Sequence, residues 1–135
     1  MKVTDFNPLS ELSLVLQNAG ISDTIYENGV PTSSLPTSFI SVMQNGSMKP
    51  KTMKMSYAEG FLIISISVKL LSTGEVNSKK EKLILNTIGS LFENNKTIES
   101  NNYSFSLDVK NLGTGARGIS SGYSTKIINL QVKIY

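Results

Sequence analysis

One stretch of this sequence, residues 60–92, constrains the rest of the fold. In GFLIISISVKLL, the residues Leu62, Ile64, Ile66, Val68 and Leu70 recur at every second position, while Phe61, Ile63, Ser65, Ser67 and Lys69 take the alternate ones. A period of two places these sets on opposite faces of a strand. The second set is apolar at its start and polar at its end. The pattern therefore predicts a central strand covered along one whole face and, on the other, only near Phe61 and Ile63. Ser72-Thr73-Gly74-Glu75 then makes a turn, Ser78-Lys79-Lys80-Glu81 has the form of a capping box, and Ile84, Ile88, Leu91 and Phe92 recur at helical spacing. The spacing predicts a helix over 79–92 that packs on the covered face.

The remaining elements follow from local signals. Asn7-Pro8 offers an N-cap followed by proline at the first helical position; Leu9, Leu12, Val15, Leu16 and Ala19 form one stripe, and Gly20 stands at the C-terminal stop. A helix over 9–19 is expected. Thr24-Ile25-Tyr26 reads as a short strand, and the linker 27–37, with Pro31 and Pro36, as surface or sheet edge. Residues 38–44 alternate as a strand that stops at Asn45-Gly46, a hairpin turn signal. Thr97 to Glu99 forms a further short strand. Tyr103, Phe105, Leu107 and Val109 alternate against Ser104, Ser106 and Asp108, a strand with one wet face. A final strand alternates Ile128, Leu130, Val132 and Ile134 with polar residues. The fold class is α+β, a mixed, mostly antiparallel sheet with two helices packed against it, in one domain over 1–135. Leu62, Ile64, Ile66, Val68, Ile84, Ile88, Phe105, Leu107, Ile128, Leu130 and Val132 are the expected core.

Composition narrows the chemistry. With 135 residues the chain can bury roughly two-thirds of its unfolded surface without disulfides or metal. It contains no cysteine and no histidine, which removes disulfides, thiolate nucleophiles, Cys-ligated zinc and any Ser-His or Cys-His pair within the chain. Twelve lysines and Arg117 against ten carboxylates give a net charge of +3, mild for a protein that grips nucleic acid, so no specific nucleic-acid binding is expected. The longest apolar stretch, 61–64, is far too short to cross a bilayer, and a protein that stays in the cytosol when made is expected, with no membrane partner.

No catalytic, cofactor-binding or metal-binding residue is assigned. Gly113, Gly115 and Gly118 satisfy G-x-G-x-x-G, but they join two predicted strands and have no following helix to receive a phosphate. The carboxylates are scattered, with no spacing that marks a metal site or a glycosidase pair. Lys79, Lys80 and Lys82 open a helix at the wrong end for its macrodipole, where a partner could offset them, although simple solvation also accounts for them. Lys49, Lys51 and Lys54 interleave with Met48, Met53 and Met55 around Pro50. That segment reads either as a loop and edge strand guarded by lysines or as an adaptable contact surface.

The helix NPLSELSLVLQNAG, the run GFLIISISVKLLSTGEVNSKKEKLILNTIGSLF and the closing strand YSTKIINLQVKIY, in this order and in a chain of this size, resemble the tail terminator (tail completion) proteins of long-tailed bacteriophages. The resemblance rests on the order of elements, not on a motif. It implies a structural virion protein and no enzyme: a ring of identical subunits, six in the family, that caps the tail tube, stops polymerisation and presents a surface to the head connector. It implies host cytoplasm and then the virion tail as its locations. A head–tail connector or stopper protein, and a free-standing protein-binding module, are the alternatives. Closed rings use heterologous interfaces, and the candidates are the two long connections, 47–57 and 111–122, through Lys49, Lys51, Met53, Lys54 and Arg117.

Overall fold

The computed structural model describes residues 8–50, 58–100, 103–108 and 122–134. Two helices, α1 (Pro8–Asn18) and α2 (Ser78–Leu91), accompany six strands: β1 (Thr24–Glu27), β2 (Ser38–Pro50), β3 (Ala58–Lys69), β4 (Ile98–Ser100), β5 (Tyr103–Leu107) and β6 (Tyr123–Ile134). The strands form one sheet in the order β1-β2-β3-β6-β5-β4. Every pairing is antiparallel except β1 with β2. The fold is thus α+β with a mixed sheet, and β3 is central to it, paired with β2 on one side and β6 on the other.

Both helices lie on the same face. Leu62, Ile64, Ile66 and Val68 of β3, Ile40 and Val42 of β2, Leu130 and Val132 of β6 and Phe105 of β5 point to it, and all are buried. Ile84, Ile88 and Phe92 come down onto them from α2, and Leu9, Leu12 and Leu16 from α1. The sheet curls: α1 meets β1 and β2 on one half and β5 on the other. Glu11 Oε2 accepts a hydrogen bond from Ser100 Oγ of the edge strand β4 at 2.7 Å. The core is continuous under both helices, so truncation of a central side chain such as Ile66 to alanine costs about 2–5 kcal/mol. Of the expected core, Leu107 and Ile128 are half-buried and pack at its margin.

α1 ends as expected. Gly20, at φ +98°, takes the left-handed conformation that lets Ile21 N–H return to Leu16 O at 3.2 Å. Three local expectations are corrected. The N-cap of α2 is Asn77, whose side chain accepts from Lys80 N–H at 3.3 Å, and not Ser78. Glu81 does not reach back as a capping box requires; it is buried and accepts from Ser124 Oγ of β6 at 2.8 Å. Asn45-Gly46 does not turn the chain. Between the pairs Asn45↔Phe61 and Lys49↔Glu59, β2 advances four residues against two on β3, and the ladder resumes as far as Pro50↔Ala58. Gly46, at φ +84°, supplies within a bulge the conformation that a hairpin would have used in a turn.

The largest correction concerns the second face of β3, where Phe61 is left uncovered and the two serines are covered, while Ile63 is half-buried and Lys69 exposed. Phe61 is 41% exposed, whereas Ser65 and Ser67 are buried. The reason lies on the neighbouring strands. Phe39 stands opposite Ser67 on β2, and Thr125 opposite it on β6. The Phe39 ring packs edge-on against Tyr26 at 5.6 Å and Tyr123 at 5.4 Å. Small hydroxyl residues leave room for these rings, and Ser67 and Thr125 satisfy one another at 3.1 Å. Tyr123 OH then donates to Pro36 O at 2.6 Å, fixing the proline-containing connection beside this aromatic cluster. Ser104 is also buried, so the expected wet face of β5 begins only at Ser106.

Candidate interaction surfaces

Two surfaces stand out by position and chemistry. On the sheet face opposite the helices, Phe61 lies opposite Asn45 on β2 and Gln131 on β6, and Ile63 lies opposite Met43 and Asn129. Asn45, Phe61, Asn129 and Asp108 line a shallow hollow there. Asp108 N–H donates to Asn129 O at 2.9 Å, holding the end of β5 against β6 and the carboxylate beside the hollow. An exposed aromatic ringed by amides and one carboxylate has the composition of a contact patch, with an apolar anchor and polar rim.

The second surface is the amino-terminal end of α2 and the loop that leads into it. Gly74, at φ +88°, closes the loop with its N–H on Leu71 O at 2.8 Å, and Leu71 N–H returns to Glu75 O at 2.9 Å. That turn holds Leu71 and Val76 outward, each 46% exposed, and Leu83 on the next turns of the helix is 62% exposed. Asn77 and Lys80 form the shared wall of two adjoining hollows. One reaches Leu71 and Ser72; the other runs along the outward stripe of α2 past Lys79, Lys82 and Leu83. Lys80 is tied to Asp23 at 3.8 Å, and Asp23 also accepts a hydrogen bond from Ser38 Oγ. Lys79 and Lys82 are exposed and make no ion pair among the described residues.

Glu81 and Ser124 form a structural contact beneath this surface. The carboxylate sits in the first turn of α2, where the helix dipole favours a negative charge, and bonds the helix to β6 across the core. Ser41 differs. It is fully buried on the helix-free face, and its hydroxyl has no hydrogen-bond partner among the described residues.

Of the residues singled out in the sequence, Lys49 belongs to β2 and is paired in register with Glu59. Lys51, Met53, Lys54 and Arg117, with most of the segments 47–57 and 111–122 that carry them, lie outside the described residues. The glycine-rich G-x-G-x-x-G stretch lies outside them too. Sequence reasoning missed the contact patch at Phe61, because strand alternation alone assigned that end of the face to the interior. The outward α2 surface was signalled by its three lysines, but the exposed Leu71, Val76 and Leu83 beside them were not singled out.

Among the described residues no group of carboxylates gathers as a metal site would, and no helix is long and apolar enough to cross a membrane. No protein-family model matches this chain, and no curated protein shows significant similarity to it.

Proposed function

We propose that this chain is a structural subunit that works by assembly: copies of it close into a ring, of six subunits, on the end of a phage tail tube, stop its polymerisation and present a surface to the head connector. The observation that carries this reading is the distribution of exposed apolar side chains. Phe61 on the helix-free face and Leu71, Val76 and Leu83 around the start of α2 form two separate patches on different sides of the molecule, each bordered by polar or charged residues, and Leu14 on α1 is the one other large apolar side chain exposed among the described residues. A subunit with two unlike patches is suited to heterologous contacts, which generate rings or filaments, and to stacking on a further layer. The order of elements in the sequence supplies the likeness to tail terminators. The reading assigns no catalytic residue, cofactor or metal.

The experiment is the molar mass of the purified chain by light scattering across a wide range of concentration. The reading expects mass to rise with concentration to a plateau at a closed multiple of the subunit. A monomer at every concentration, or a complex formed only with one foreign protein, would replace it with the binding-module alternative.

A further inference from the structure

Asn45-Gly46 sits at the break in the β2–β3 ladder and on the rim of the hollow at Phe61. Asn45 is paired with Phe61, the ladder resumes only at Lys49 opposite Glu59, and residues 46–48 have no place in the register between them. Asn45 and Gly46 are both exposed. Gly46 has φ +84°, and no atom of the described residues lies within 4 Å of where its side chain would begin. Its carbonyl is held by Gln44 Nε2 at 2.8 Å, a contact within β2 itself and not one to β3. The backbone here is therefore freer to turn than in the paired part of the strand.

An asparagine side chain carries an electrophilic amide carbon that the next backbone nitrogen reaches by closing a five-membered ring. A following side chain obstructs that approach, and glycine has none and turns freely. When the Gly46 N–H gives up its proton to hydroxide, the nitrogen attacks Asn45 Cγ. The N–Cγ bond forms, the Cγ–Nδ2 bond breaks, and Nδ2 takes a proton from water and leaves as ammonia. Water then adds to either carbonyl of the cyclic imide and opens it, leaving an aspartyl or an isoaspartyl residue at position 45. Water is the only co-reactant.

We propose that Asn45 is a site of spontaneous deamidation in the folded protein, and that the reaction puts a second carboxylate on the hollow that Asp108 and Phe61 line. The net charge falls by one from +3. The isoaspartyl product also lengthens the main chain by one carbon, and it does so where the ladder is already interrupted, so the fold absorbs it. The proposal does not rest on the assembly reading. Where the Phe61 patch meets a neighbouring layer, a modified subunit brings to that contact a charge that must be desolvated.

Asn28-Gly29 supplies a comparison within the same chain. Asn28 is exposed as well, but its N–H donates to Val42 O at 3.0 Å, which continues the pairing of β1 with β2, and its backbone is fixed at φ +60°. The two pairs share a sequence and differ in how the fold holds them.

The test ages the intact chain in mildly alkaline buffer, folded and in guanidinium chloride. Isoelectric focusing follows the acidic product, and mass spectrometry of proteolytic peptides with isoaspartyl methyltransferase locates it. In denaturant both Asn-Gly pairs are expected to convert at similar rates. In the folded chain position 45 is expected to convert about fivefold or more faster than position 28, the scale on which one backbone hydrogen bond holds a segment closed. Asn45→Gln must close a six-membered ring, and it is expected to lose the acidic product assigned to position 45. Circular dichroism of the aged chain is expected to stay native. An intact position 45, or a position 28 that converts as fast in the folded chain, would overturn the proposal. An undiminished acidic product from Asn45→Gln would overturn it too.

Discussion

At the scale of single residues, hydroxyl groups on the helix-free face separate into satisfied and unsatisfied ones, and the two kinds behave oppositely when removed. Ser67 and Thr125 bond one another at 3.1 Å within the sheet. Thr125→Val takes away that partner of a buried hydroxyl and is expected to cost about 1–3 kcal/mol. Ser41 is buried with no partner for its oxygen among the described residues, so Ser41→Ala removes a desolvated polar atom and is expected to be neutral or to stabilise by about 1 kcal/mol. Urea unfolding of both variants checks the pair. A destabilised Ser41→Ala together with an unaffected Thr125→Val would invert the assignment. None of this was legible from the sequence. Alternation places Ser65 and Ser67 on one face of β3, but only the register sets Ser41 beside them, and their burial depends on Phe39, Tyr26 and Tyr123, which come from β2, β1 and β6 and which only the strand order brings together.

At the scale of elements, periodic apolar patterns were the readable part. Both helices, the central strand β3 and the closing strand β6 follow from spacings of 3.6 and 2, because those positions face a continuous core. Turns and caps read less well, since several residues in a row can serve and tertiary contacts choose among them. Ser78 and Asn77 are both competent N-caps; Glu81, which would have completed a capping box with Ser78, is engaged by Ser124 instead, and the cap falls to Asn77. Asn77→Ala is therefore expected to lower stability by about 1 kcal/mol, in the range of lost N-caps, and Ser78→Ala by much less. Equal losses in thermal melts, or a larger loss at Ser78, would restore the capping-box reading. Asn45-Gly46 shows the same ambiguity at a bend. The dipeptide signals a backbone with positive φ, and the extended ladder of β2 with β3 places that backbone in a bulge.

At the scale of the whole molecule, both helices cover one face of the sheet, an exposed aromatic patch at Phe61 lies on its other face, and α2 opens with the exposed Lys79 and Lys82 beside Leu83. The sequence signalled one part of this, the lysines that open α2 at the unfavourable end of its dipole. In the proposed assembly the apolar patch beside the lysines of α2 and the separate patch at Phe61 serve different contacts, and ring closure is the form of repetition that ends. Rotational symmetry is the property that separates such a closed ring from every alternative. Electron-microscope class averages of the assembled, unmodified chain measure it directly: the account predicts closed rings with six-fold symmetry, and particles with only a two-fold axis, or open filaments with no closed form, would contradict it.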